Sequence, residues 1–131
     1  MTLYKKSDNF GYQFNSEDSL CIVTGKGEID YKQSTDAMKH VAGHPDFSSD
    51  CKIIVDLTEM NYHPSYDELL GMVDTLKLLR KNFKNKIALV TDQKMSIVAK
   101  LVTIYCQLAG IEMKSFVCPN EARLWVLAPD K

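Results

Sequence analysis

A chain of 131 residues with 45% apolar composition can bury roughly two thirds of its unfolded surface in one core and is too short for two, so a single domain spanning 1–131 is expected. Its sixteen basic and seventeen acidic residues give a formal charge of −1 and lie scattered, which excludes the clustered Lys and Arg of a nucleic-acid footprint or a polybasic membrane surface. The opening MTLYKKSDNF lacks a signal-peptide core and no window approaches the roughly eighteen apolar residues of a membrane span, so a cytoplasmic protein with no membrane insertion is expected.

In chain order, FGYQF (Phe10 to Phe14) and LCIVTG (Leu20 to Gly25) are aromatic and β-branched runs joined by the turn-forming NSEDS, the pattern of an antiparallel hairpin. GKG at Gly25 to Gly27 lacks the strand-to-helix context of a dinucleotide fingerprint and reads as a strand exit. DYKQSTDAMKHVAGHP predicts a helix with Asp30 as N-cap, Gln33 completing a capping box, Gly43 and Pro45 as its stop, and Ser34, Met38 and Val41 inward. KIIVDL is the near-continuous apolar run of a strand covered on both faces.

From Tyr66 to about Asn82, residues Leu69, Met72, Val73, Leu76, Leu79 and Phe83 follow the three-and-four spacing of a long helix. The basic KLLRKNFKNK lies at its C-terminus, where cations meet the negative end of the dipole. KIALVT is a further buried strand, MSIVAKLVTIYCQLAG a third helix closed by Gly110, MKSFV a last strand and PNEARLWVL a short final helix. Strands alternating with helices imply a mainly parallel sheet. On the third helix only Ser96, Lys100, Thr103 and Gln107 form a polar stripe, so the helix is buried on more than one side. Burial within the monomer is the first reading, and a partner subunit or an apolar ligand are the others.

Taken together, KIIVDLTEM, KIALVTDQ and the ending FVCPNEARLWVL resemble the SpoIIAA-like group of the STAS superfamily over roughly Leu20 to Leu127. The resemblance implies an α/β domain with a mainly parallel β-sheet, an N-terminal antiparallel hairpin and about four helices packed largely on one face. It also implies a fold shared with anti-sigma factor antagonists and, more loosely, with Sec14-type lipid-binding domains. In the regulatory STAS proteins the matching strand leads to an Asp-Ser-Ser-Gly loop whose first serine is phosphorylated to release a partner. That serine falls on Ser65, but Pro64, Tyr66 and Asp67 replace the other three positions.

Ser65-Tyr66-Asp67-Glu68 is independently a capping box ahead of the apolar run, with Pro64 and Leu69 at the positions of a hydrophobic staple. A phosphate on Ser65 would gain from the helix dipole but sit beside Asp67 and Glu68, so the cap is the first reading and the phosphoacceptor the second. The carboxyl edge of the sheet should present Asp56, Thr58, Thr91, Asp92 and Cys118. The two aspartates are expected to bond nearby backbone rather than a metal, and no cofactor or metal is called for. His40, His44 and His63 lack ligand spacing and read as surface or loop residues. Cys21, Cys51, Cys106 and Cys118 lack pairing and read as reduced, mostly buried thiols. No nucleophile has an adjacent base, so an enzyme is not expected.

Two functions remain from different classes. The first is a non-enzymatic regulatory domain that binds a protein partner through the loop carrying Tyr62, His63, Ser65 and Tyr66, or forms a homodimer through the third helix and the neighbouring long helix. The second is a carrier or sensor of a small apolar molecule or lipid between the long and third helices. Met72, Met95, Val98, Val102 and Tyr105 would form either that ligand site or the dimer surface.

Overall fold

The computed structural model describes residues 2–5 and 9–129. Six strands form one sheet in sequence order: β1 (Thr2–Lys5), β2 (Phe10–Asn15), β3 (Leu20–Glu28), β4 (Lys52–Asn61), β5 (Ile87–Val90) and β6 (Met113–Phe116). β1, β2 and β3 pair antiparallel, and β3 to β6 pair parallel. The parallel strands are joined through α1 (Tyr31–Gly43), α2 (Tyr66–Leu78) and α3 (Ser96–Leu108), and α4 (Pro119–Leu127) follows β6. Each crossover steps one strand in the same direction, and crossovers of one hand then lay all three helices on one face. α4 turns back onto the opposite face, where Ala122 and Val126 pack with Leu20, Ile54, Ala88 and Val90.

Alternation along the strands sorts these residues between two cores. On β4 and β5, Ile53 and Ile87 belong to the larger core under α1, α2 and α3, while Ile54 and Ala88 belong to the smaller core under α4. Both expected capping boxes form. Asp30 accepts from the Gln33 amide at 2.8 Å and Gln33 returns to the Asp30 amide at 3.1 Å. Ser65 accepts from the Glu68 amide at 3.1 Å and Glu68 returns to the Ser65 amide at 3.0 Å.

Several elements differ from the sequence reading. β1 extends the expected hairpin into a three-stranded antiparallel unit. β3 runs on through GKG to Glu28, with Gly27 at a φ of +72°, a conformation other residues rarely take. α2 stops at Leu78 instead of about Asn82. Arg80, Asn82 and Phe83 make successive bonds to the third preceding carbonyl, and Phe83 swings into the core to meet the Phe47 ring edge-on at 5.7 Å. Ser34 and Val41 are buried as expected, while Met38 is half-buried.

On α3 the buried face is Ala99, Thr103 and Cys106, and Thr103 therefore leaves the expected polar stripe. Its hydroxyl donates to the Lys100 carbonyl at 2.8 Å, so it enters the core already bonded. Small residues on this face let the helix approach the sheet closely, and Ile97, Leu101, Ile104 and Leu108 are left on the outer face. The histidines are also reassigned. His44 stacks on Phe14 at 4.6 Å and His40 tilts against Tyr12 at 4.9 Å, because β2 presents aromatic rings beneath the end of α1, whereas His63 is exposed.

Candidate functional site

Between the sheet and α1, α2 and α3 lies a cavity of about 160 Å³. β5 lines it with Ile87 and Leu89, and Thr91, one residue past the strand, continues the every-second-residue set that faces the three helices. β4 lines it with Ile53, Val55 and Leu57 and then with Met60, and Tyr62 follows just past the strand. That change from odd to even numbers follows from a β-bulge. Thr24 pairs with Asp56 and Lys26 with Glu59, so β4 spends three residues where β3 spends two. The Asp56 carboxylate holds the bulge by accepting from the Thr58 amide at 3.0 Å and the Thr58 hydroxyl at 2.7 Å. Gly25 makes room opposite, since a Cβ there would stand 2.9 Å from Leu57.

The helices supply Leu69, Met72 and Leu76 from α2, and Val98, Ala99 and Val102 from α3, with Met95 just before α3. Pro64, entering α2, lines the cavity beside Leu69, at the two positions of the hydrophobic staple. Three of the lining residues are hydroxyl-bearing. Ser34 donates to the Asp30 carbonyl at 3.0 Å and the Tyr62 phenol meets the Glu68 carboxylate, but the buried Thr91 hydroxyl makes no hydrogen bond. Burial first, and then the Glu68 carboxylate, push the Tyr62 phenol up from its ordinary value to about 12.

The structure brings together four of the five residues expected at a ligand or dimer surface: Met72, Met95, Val98 and Val102 all line the cavity. The fifth, Tyr105, stands apart, its hydroxyl 3.0 Å from that of Tyr66. This bond raises the Tyr66 pKa. The expected recognition loop divides: Tyr62 turns into the cavity, while His63, Ser65 and Tyr66 remain exposed. Asp56 lies within β4 rather than at a strand end, because the strand continues past it to Asn61. Asp92 caps the turn Gln93–Met95 by accepting from the Met95 amide at 3.0 Å. Among the described residues no cluster of three or more His, Cys, Asp and Glu could hold a metal, and all four cysteines are free, with Cys118 only half-buried. No helix among them is long and apolar enough to cross a membrane.

Sequence reasoning missed Lys86, which is buried beneath α4. Its ammonium donates to the Trp125 carbonyl at 3.1 Å and the Ala128 carbonyl at 3.0 Å, and lies 5.5 Å from the Trp125 ring centre. The basic run around it concealed it, since neighbouring Lys81 and Lys84 are exposed.

The architecture is that of a SpoIIAA-like α/β domain. A solved structure of an uncharacterised DUF3478-family protein with a SpoIIAA-like fold, from Shewanella loihica PV-4, superposes with a TM-score of 0.59 over 94% of this chain and 98% of its own, at 15% identity. At that identity the likeness concerns the fold alone. No protein-family model matches the sequence, and no curated protein does.

Proposed function

We propose that this protein is a non-enzymatic SpoIIAA-like domain that carries or senses a small apolar molecule held in the cavity beneath α2 and α3. The observation that carries this reading is the cavity itself: about 160 Å³, walled mostly by aliphatic side chains and methionines. An apolar void of about 150 Å³ is enough to take up benzene. Met72, Met95 and Met60 are unbranched and adapt to an occupant at little rotameric cost. The test is a titration of the isotope-labelled protein with benzene or toluene, followed by amide and methyl shifts. Saturable shifts centred on Leu69, Met72, Val98 and Val102 are expected, and their absence up to the solubility limit sinks the reading.

The outer face of α3 favours a second reading, self-association. Ile97, Leu101, Ile104 and Leu108 follow a four-three-four spacing and stand 73%, 39%, 52% and 80% exposed. A seam of that spacing is complementary to a second copy of itself across a two-fold axis. Native mass decides it: a dimer that Leu101→Glu with Ile104→Glu converts to monomer supports the seam, and a wild-type monomer at micromolar concentration removes it.

A further inference from the structure

Resting on the ligand-carrier reading, we infer that the occupant of the cavity is an uncharged molecule about the size of a substituted benzene ring, with one hydrogen-bonding group held by the Thr91 hydroxyl. Thr91 is 3% exposed and follows the last residue of β5, at the carboxyl edge of the parallel strands, where open α/β sheets gather ligands. Its register with Ile87 and Leu89 directs its side chain to the cavity. Its amide is already spent on the Phe116 carbonyl, so the hydroxyl is the group left without a partner. A buried hydroxyl without a bond costs stability in the empty protein, and valine, of the same shape, would fit there without that cost. A polar group kept at that cost is accounted for by an occupant that bonds it.

The remaining lining fixes the charge and number of polar groups on the ligand. Among the described residues no Lys, Arg, His, Asp or Glu lines the cavity, so a carboxylate or ammonium would be desolvated with no counter-ion from them. Glu68, close enough to Tyr62 to raise its phenol, adds repulsion for an anion. The Tyr62 hydroxyl already faces the Glu68 carboxylate, which leaves the Thr91 hydroxyl as the unpartnered polar group among the described lining residues. The Thr91 hydroxyl can donate or accept, which suits an alcohol, phenol or carbonyl. The volume is several times the ~30 Å³ share of a water molecule, and one water would find few polar partners in this lining.

The experiment compares three probes, toluene, benzyl alcohol and benzoate, on wild-type protein and Thr91→Val by calorimetry or shift titration. Toluene should bind both proteins about equally, and benzoate neither. The ratio of benzyl alcohol to toluene affinity should fall roughly threefold to tenfold in Thr91→Val, the worth of one neutral hydrogen bond. Empty Thr91→Val should melt no lower than wild type. Binding of toluene and benzyl alcohol with an unchanged ratio in Thr91→Val, or binding of benzoate, overturns the inference and leaves the carrier reading standing. Failure of all three probes on the wild type overturns both.

Discussion

Ser65 precedes α2 with an extended backbone, and its hydroxyl and the Glu68 carboxylate exchange bonds with each other's amides. A hydroxyl so placed contributes to stability with no modification, and Ser65→Ala should cost about 1 kcal/mol in urea unfolding. Ser65→Asp should unfold close to the wild type, because aspartate is an equally good N-cap. If Ser65→Ala unfolds at the wild-type midpoint, the cap contributes nothing and the position is open to the regulatory role. The buried thiols make a separate residue-scale prediction. Burial, followed by Cys51, pushes Cys21 up from its ordinary 9.0 to about 12, and burial pushes Cys106 to about 11 against a smaller lowering from Lys77. These thiols are protonated in folded and unfolded chains alike below about pH 9. As pH rises from 9 through 11 and 12 the unfolded chain loses protons first, and the Tyr62 phenol, raised to about 12, adds to the effect. Stability contributed by these groups is therefore full below pH 9 and lost above it. Thermal melts should show a falling midpoint from pH 9 to 11 that is shallower in Cys21→Ala; a midpoint level over that range contradicts the burial assignment.

At the scale of elements, α3 shows what a helical period conveys and what it omits. Its existence follows from spacing, but its outward face follows from what lies beside it: Ala99, Thr103 and Cys106 are narrow enough for close approach to the sheet, so the larger aliphatic residues turn away. Thr103→Leu should therefore destabilise by about 1–3 kcal/mol through overpacking. Ile97→Lys, on the exposed face, should stay within about 0.5 kcal/mol in dilute protein. The reverse order would mean that α3 is rotated from the face described. The same distinction governs the rest of the sequence reading. Capping boxes, the buried runs IIV and IALV and the order of elements from β2 onward were legible because each is written within a few residues. The bulge at Asp56 was not, since it is a mismatch between two strands some thirty residues apart, and it alone turns Met60 and Tyr62 into the cavity. Thr91 was placed correctly at the sheet edge, but that its hydroxyl is buried without a partner depends on the tertiary packing around it.

The whole molecule is two unequal cores on the two faces of one sheet, three helices over one and α4 alone over the other. α4 has nine residues, too few to be stable by itself, and its docked face offers only Ala122, Val126 and the half-buried Trp125 and Leu127. Lys86 closes this weaker face. Its backbone carbonyl accepts from the Ile53 amide at 2.9 Å between β5 and β4, while its ammonium caps the carbonyls of Trp125 and Ala128 at the negative end of α4. A cation joining the sheet to the last helix makes that helix's docking depend on one side chain. Lys86→Met keeps most of the apolar stem and removes both bonds and the charge over the Trp125 ring, and it should cost about 2 kcal/mol. Trp125 is the sole tryptophan, so its fluorescence reports α4 while far-ultraviolet circular dichroism reports the whole chain. In wild-type protein the two urea transitions should coincide, as in a two-state domain. In Lys86→Met the fluorescence transition should move to lower urea than the dichroism transition, because α4 then leaves before the larger core opens. Coincident transitions in the variant would instead make the two faces one cooperative unit, held by the sheet and not by the lysine.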